Sequence, residues 1–303
     1  MSEHFDCVGF GICAADYLCL VPKYPELDEK SEAVEFSKQG GGPCATGMVT
    51  LARLGFETAF IGKIGIDEDG DFVAKNFQRE NINTTGLIRS SNMPTNKAFI
   101  WVDEQSGKKS IVLDSHQYQE VKPDELNLEF IESAKYLLID GRDTDATFKM
   151  IDWAKRKNIA VVLDAGSPRQ RMEELLKAVD YPILSRNFCI RYFSGLEVKD
   201  VLSKLLDFGC KAAVVTDGEN GCVGADEDGI YSQPAFEVNV IDTTGAGDVF
   251  HGAFVAGLLQ GFSLKENLKF SSLVAALKCE RLGGQAGIPD METVKQFERF
   301  YDV

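Results

Sequence analysis

The feature that most constrains the fold is an alternation of short apolar runs with helical segments between residues 136 and 215. The apolar runs are predicted as strands 136–139, 160–163, 181–184 and 212–215, and the segments between them as helices 145–157, 171–178 and 198–208. Strands that are apolar on both faces and separated by helices are typical of a parallel sheet buried between two helical layers. The sequence therefore predicts an α/β fold.

Ligands of such sheets bind beyond the carboxyl ends of the strands, so the polar residues at those ends are candidates for ligand contacts. They are Asp140, Arg142, Asp164, Asn187, Thr216 and Asp217. Arg142 can neutralise a transferred phosphate, grip an acidic substrate through its planar fork, or form a surface ion pair.

Length and charge exclude several classes of protein. A chain of 303 residues fits one large domain, predicted as 1–303, and a net charge of −15 argues against a nucleic-acid-binding face. No apolar run reaches membrane-spanning length, and the first residues lack the pattern of a secretion signal, so we expect a cytoplasmic protein without membrane partners. The eight cysteines lack C-x-x-C spacing and are predicted to be reduced thiols, most of them buried.

The remaining elements are predicted from local periodicity and turn residues. Predicted strands are 5–10, 16–20, 31–36, 57–61, 85–90, 96–102 and 109–113, and predicted helices are 45–54, 264–282 and 291–300. Residues 62–70 are predicted as a turn that leads into a helix ending at Arg79, and 103–107 as a hairpin turn.

The most informative stretch for function runs from Val240 to Gly257, V-I-D-T-T-G-A-G-D-V-F-H-G-A-F-V-A-G. It indicates a helix that begins near Gly245, with Thr243 and Thr244 as candidate N-caps. Free N–H groups and the positive end of the helix dipole make such a helix start an anion site.

Asp248 lies in the first turn of this helix, where a carboxylate would repel a bound phosphate. One interpretation is that it only favours the helix dipole. The other is that it acts as a base beside a phosphate site and removes the proton of a hydroxyl as a phosphoryl group reaches it.

Two motifs carry a resemblance to a known family. D-T-T-G-A-G-D-x-F-x-G-A-F resembles the C-terminal signature of the ribokinase-like (PfkB) carbohydrate kinases, and G-G-G-P-C-A-T-G-M-V-T-L-A-R-L-G, from Gly40 to Gly55, resembles their N-terminal signature. The resemblance implies a three-layer αβα Rossmann-like domain with a small inserted β-sheet lid, formed by segments 14–38 and 93–115. It also implies transfer of a phosphoryl group from Mg²⁺-bound ATP to a hydroxyl of a small sugar.

The resemblance assigns roles to individual residues. Asp248 becomes the base, and the backbone of Gly245, Ala246 and Gly247 the anion hole. Asp16, Gly41, Gly42 and Thr46 become sugar-site candidates. Two cationic residues are added from their own charge: Arg142, and Lys97 of the lid, which is either a substrate contact or a solvated lysine. Thr46 replaces an asparagine of the family pattern, which puts one sugar contact in question.

The implied nucleotide-binding residues are Asn187, Thr216, Gly218, Gly221, Thr243 and Gly284. Ile190 replaces the glutamate of the family's N-x-x-E motif, so we expect Mg²⁺ to be held mainly by ATP and water. Asp242 and Thr244 resemble the monovalent-cation position of ribokinases, which would hold K⁺.

Several alternatives stay open at this stage. A nucleoside kinase of the same fold differs only in its acceptor pocket, and Lys97 with Arg142 would suit an acceptor that carries phosphate, sulfonate or carboxylate. The glycines of Gly9–Ala14 match G-x-G-x-x-A of nicotinamide-dependent oxidoreductases, but extended structure is expected after them. Thr46 and Ile190 leave room for a catalytically silent sugar-binding module. The half-apolar lid strands predict a homodimer.

Overall fold

The structure is a computed structural model and describes residues 4–129 and 134–300. Its strands are β1 (Cys7–Phe10), β2 (Ala14–Val21), β3 (Glu35–Gly41), β4 (Thr58–Gly65), β5 (Asn83–Ser90), β6 (Lys97–Asp103), β7 (Lys109–Asp114), β8 (Tyr136–Ile139), β9 (Ala160–Ala165), β10 (Tyr181–Ser185), β11 (Ala212–Thr216), β12 (Cys222–Asp226) and β13 (Gly229–Gln233). Its helices are α1 (Pro43–Arg53), α2 (Glu68–Arg79), α3 (Thr144–Arg156), α4 (Met172–Leu176), α5 (Arg186–Tyr192), α6 (Val198–Asp207), α7 (Ala246–Gln260), α8 (Leu264–Lys278) and α9 (Met291–Phe300).

The large sheet confirms the predicted parallel architecture. Its order is β13-β12-β11-β10-β9-β8-β1-β4-β5, and all neighbouring strands are parallel except for the pairs β11–β12 and β12–β13. Successive residues of its central strands belong to different core clusters: Leu137 and Ile139 pack on one face, and Leu138 on the other. This burial on both faces explains why these strands are apolar throughout.

Chain order reverses between β1 and β8, because β9 to β11 extend the sheet on one side and β4 and β5 on the other. Such a reversal opens a crevice beyond the carboxyl ends of the strands. Ile12 follows β1 and Asp140 follows β8, and the backbone N–H of Ile12 donates to Asp140 Oδ2 at 2.7 Å. The crevice is therefore fixed by contacts between its own two walls.

A second sheet, hereafter the lid, has the order β3-β2-β6-β7. One face of the lid buries Leu18, Leu20, Ile100 and Val102. These side chains cluster with Leu282, which lies in the loop after α8. The lid therefore packs by one face against the loop that follows α8.

Several predicted boundaries were wrong. The predicted strand 31–36 is instead β3, because Gly40 and Gly41 pair with Ala15 and Ala14. Residues 62–65 continue β4 rather than turning, since they pair with β5. The predicted helix 264–282 ends at Lys278, because the following carbonyl, of Cys279, accepts from the N–H groups of residues 241 and 242. The predicted helix 171–178 is shorter, at Met172–Leu176.

The chain after Gly9–Ala14 forms strand β2, so these glycines do not open a helix as a dinucleotide fingerprint requires. All eight cysteines are free, and all but the half-buried Cys19 are buried, as predicted. Within residues 4–129 and 134–300, no helix has the length and apolar character needed to span a bilayer.

Candidate active site

The crevice and the lid together enclose a cavity of about 390 Å³. Its wall joins the lid (Asp16, Lys97, Lys109), the chain after β8 (Asp140, Arg142) and the start of α7 (Thr243 to Asp248). A volume of this size is within the range of small-molecule sites. The structure thus brings together residues that lie more than 200 positions apart in the sequence.

Helix α7 begins at Ala246 with Gly245 as its N-cap, so the prediction of Thr243 and Thr244 as caps was wrong. Gly245 has φ 74°, and a β-carbon there would lie 2.9 Å from Gly284 Cα. Thr244 instead turns inward, where its N–H and hydroxyl both donate to Asp242 Oδ1 at 2.7 Å.

The first-turn N–H groups of Gly247 and Asp248 have no carbonyl partner within a helix. Nothing lies within 4 Å of a β-carbon at Gly247, so an anion has room there.

Asp248 is half-buried and lines the cavity. Burial raises the pKa of Asp248 to about 7, the nearby carboxylate of Asp164 adds to this, and the positive charge of Lys109 opposes it. Within the described chain its carboxylate accepts no hydrogen bond. A free carboxylate with a pKa near neutrality has the properties of a general base.

Asp16 lies opposite on β2 and is 7% exposed. Burial raises the pKa of Asp16 to about 7, and the charge of Asp248 contributes. A β-carbon at Gly41 would overlap the carboxylate of Asp16, so this glycine gives it space. Described residues donate no hydrogen bond to this carboxylate either, which leaves it available to a hydroxyl of a ligand.

Gly42 and Thr46, the other candidates from the N-terminal motif, differ in their position relative to the cavity. Gly42 lines the cavity as the N-cap of α1, with φ 99°, and a β-carbon there would overlap the carbonyl of Ile12. Thr46 is 1% exposed and lies outside the cavity wall, with its Oγ1 3.4 Å from Gln285 Nε2. Its hydroxyl therefore points to the loop that follows α8.

Lys97 and Arg142 both line the cavity. The charge of Lys97 is partly neutralised, because its Nζ lies 3.4 Å from Asp69 Oδ2. The carboxylate of Asp69 also forms an ion pair with Lys38 Nζ at 2.6 Å. The guanidinium of Arg142 has no hydrogen bond or ion pair with the described residues.

The residues of the cavity wall that the sequence reasoning missed include Asn96, Lys109 and Arg169. Lys109 Nζ donates to Thr243 Oγ1 at 3.2 Å, so the lid reaches the start of α7. Asn96 Nδ2 and Arg169 Nε are buried donors that lack a partner in the described chain. Arg169 had a detectable signal, because it follows the end of β9 as Arg142 follows the end of β8.

The candidate nucleotide residues lie mostly farther along the same sheet edge. Asn187 is exposed in the first turn of α5, and Thr216 ends β11. Gly218 and Gly221 flank a turn, where a β-carbon at Gly221 would overlap the carbonyl of Gln233. Only Thr243 of the set lines the cavity, and Gly284 reaches it through its contact with Gly245.

His251 was not singled out by the sequence either, although it lies one turn after Asp248. It is 5% exposed, and its Nδ1 is 2.6 Å from the Gly247 carbonyl. Burial lowers the pKa of His251 and thereby favours the neutral ring. A neutral ring donates from Nδ1 to this carbonyl and supports the first turn of α7.

Comparison with known proteins agrees with this geometry. The model of the pfkB family carbohydrate kinases matches residues 5–291. Ribokinase of Staphylococcus aureus is 28% identical over 302 residues, covering 94% of this chain and 97% of that protein. The 5-dehydro-2-deoxygluconokinase of Clostridium beijerinckii is 30% identical over 295 residues, covering 88% and 86%. The structure of a putative ribokinase II from E. coli in complex with ATP and Mg²⁺ has the same fold, with a TM-score of 0.85, 18% identity and coverage of 98% and 99%.

The chain belongs to the pfkB family of carbohydrate kinases. It is a sugar kinase, a phosphotransferase with the ribokinase-like fold. The oxidoreductase and silent-module interpretations are therefore set aside.

Proposed function

We propose that the protein transfers the γ-phosphoryl group of ATP to a hydroxyl of a small sugar held between Asp16 and Asp248. The observation that carries this proposal is that two unpartnered carboxylates and the free N–H groups of α7 face one cavity. One carboxylate orients the acceptor hydroxyls and the other removes the proton, while the N–H groups stabilise charge on the transferred phosphoryl group.

The start of α7 fits a phosphate, because its N–H groups are free and the space above Gly247 is open. Gly245 and Ala246 complete the proposed anion hole, although the Ala246 N–H also donates to the Thr243 carbonyl at 3.3 Å. Thr216, Gly218 and Gly221 would contact the rest of ATP at the edge of β11. Bound Mg²⁺ would neutralise the phosphate oxygens, and Asn187 would support it through water. The lid would close over the sugar and exclude water, so that ATP is not hydrolysed.

ADP release with Mg-ATP across an acceptor panel tests this proposal. The panel contains ribose, fructose, 2-keto-3-deoxygluconate, fructose 6-phosphate, a sulfonated fructose and adenosine. We expect acceptor-dependent ADP release with one sugar class. A response to adenosine alone would favour the nucleoside-kinase alternative, and ATP turnover unaffected by every acceptor would contradict the proposal.

Lys109→Met should shift the pH dependence of kcat/KM. Asp248 acts only when deprotonated, so activity rises as pH increases through its pKa of about 7. Removing the Lys109 charge raises that pKa further and moves the acidic limb to higher pH. A rise of about one pKa unit would lower kcat/KM at pH 7 by roughly fivefold, because the deprotonated fraction of Asp248 falls from about one half to about one tenth. Lys108→Met is the matched control, because Lys108 is exposed and does not line the cavity. An unmoved acidic limb would exclude this role of Lys109.

A second candidate function is a kinase for an anionic sugar, and one observation favours it. Arg142 and Arg169 line the same cavity without a carboxylate within ion-pair distance in the described chain. Burial lowers the pKa of Arg169, the charge of Arg142 adds to this, and the carboxylates of Asp140 and Asp164 oppose it. Two guanidinium groups held together in this way suit a carboxylate, phosphate or sulfonate on the acceptor. One curated relative is named for a gluconate-type acceptor, which supports the same direction.

Arg142→Gln and Arg169→Gln together should lower kcat/KM for an anionic acceptor by about tenfold to a hundredfold, the contribution of hydrogen bonds to a charged group. The rate with the matched neutral sugar should change much less. Arg156→Gln, an exposed change on α3, is the control. Equal losses for both acceptors would assign the two arginines to the fold rather than to acceptor choice. Lys97, already paired with Asp69, should contribute less than either arginine.

We also propose a homodimer formed through the outer face of the lid. That face exposes Phe36 at 60%, Phe99 at 39% and Val112 at 55%, with the ring of Tyr17 stacked on Phe99. An apolar sheet face of this kind is typical of an interaction surface. Sedimentation at micromolar concentration should give twice the 33.4 kDa chain mass, and Phe99→Asp should give the monomer. A wild-type monomer would contradict this proposal.

A further inference from the structure

Lys278 is fully buried, with 0% of its surface exposed. It is the last residue of α8, and its Nζ donates to the backbone carbonyl of Asp242 at 2.8 Å. Buried lysines are rare unless the ammonium group is compensated. This lysine is therefore tied to the segment that leads into α7.

The surroundings of Lys278 act on its positive charge in opposite directions, and Lys109 is among the groups that disfavour it. Burial lowers the pKa of Lys278, but the carboxylates of Asp242 and Asp248 oppose this effect. The carboxyl-terminal end of α8 also carries the negative pole of the helix dipole. Lys109 contacts Thr243 from the cavity side at 3.2 Å, so the 242–244 segment is held between two lysines.

Asp242 and Thr244 resemble a K⁺ position, but the described residues do not fit a bound cation there. Both carboxylate oxygens of Asp242 already accept: Oδ1 from Thr244 at 2.7 Å and Oδ2 from the N–H of Gly283 at 2.7 Å. The backbone carbonyl oxygen of Asp242 accepts a hydrogen bond from the Lys278 ammonium group. A hard cation needs several oxygen ligands that are free to point at it, and here N–H and O–H donors occupy them.

We propose that the Lys278 ammonium group is a built-in cation that replaces a bound monovalent cation at Asp242. By fixing the Asp242 carbonyl and the turn through Thr244, it positions the N–H groups at the start of α7 and Asp248 next to them. Lys278 is thus a positioning residue for the proposed kinase reaction, on which this inference rests. The consequence is a kinase that does not depend on K⁺.

The first experiment compares the wild-type protein in KCl with the protein in choline chloride at equal ionic strength. We expect the same kcat, the same KM for ATP and the same melting temperature in both salts. Acceleration or stabilisation by K⁺ over choline overturns the proposal. The melting comparison needs no substrate, so it decides the matter even if no acceptor gives turnover, in which case the proposed function alone fails.

Lys278→Ala should lower the melting temperature by on the order of 10 °C, because it leaves the buried Asp242 segment uncompensated. K⁺ or methylammonium, but not choline, should then restore part of the melting temperature and of kcat. Lys265→Ala, an exposed change on the same helix, is the control. A Lys278→Ala protein that melts like wild type, or one that responds to no small cation, overturns the proposal. Where this variant does not fold, the wild-type salt comparison still decides.

Discussion

Asp248→Asn is expected to lower kcat by about a hundredfold to ten-thousandfold, the usual contribution of a general base. The amide has nearly the same shape as the carboxylate but cannot accept the proton of the acceptor hydroxyl. Binding of ATP should persist, because the N–H groups of α7 remain. The substitution should also not destabilise the fold, since burial already disfavours the charged form of Asp248. Single-turnover kinetics and a nucleotide-binding titration measure the two effects separately.

Asp200→Asn is the matched control for this experiment. Asp200 also lies in the first turn of a helix, α6, but it is exposed and outside the cavity. If Asp248 only favoured the helix dipole, both substitutions would have small and similar effects. A near-normal rate for Asp248→Asn would mean that another group takes the proton.

The sequence was sufficient to predict the parallel sheet, because its central strands are buried on both faces and are therefore apolar throughout. The resemblance of its motifs to the family signatures also implied that Asp16, Gly42 and Asp248 belong to one site, and all three line the cavity. Predictions from the local sequence were wrong where tertiary contacts determine the structure. Thr244 has the chemistry of an N-cap, but Asp242 competes for its N–H and hydroxyl, and Gly245 takes the capping position instead.

Two of the missed residues, Lys109 and Arg169, were missed for the same physical reason. Lys109 and Arg169 are single charged residues at element ends, where a solvated side chain is the common outcome, and only the folded lid and sheet edge bring them to the cavity. Lys278 is different, because it falls on the apolar side of α8 with Val274 and Leu277. A lysine at such a position is a sequence signal for a buried charge.

Gly252→Ala is expected to destabilise the protein by about 1–3 kcal/mol, the typical cost of overpacking a close contact. Gly252 lies in α7 where this helix crosses α1, and a β-carbon there would overlap the carbonyl of Gly47 and lie 2.8 Å from Thr50 Cβ. Neither atom belongs to the end of a flexible side chain. The two helices must therefore move apart.

Moving α1 away from α7 should affect activity, because Gly42, the N-cap of α1, is proposed to contact the sugar and α7 begins at the proposed anion hole. A displacement of about 1 Å between reacting groups costs on the order of a hundredfold in rate. Gly252→Ala should thus lower both the free energy of unfolding, measured with denaturant, and kcat. Gly247→Ala on the same helix is the control for stability, since a β-carbon there meets nothing within 4 Å. If Gly252→Ala lost stability but kept its kcat, the relative position of α1 and α7 would not be what aligns the acceptor with the phosphoryl group.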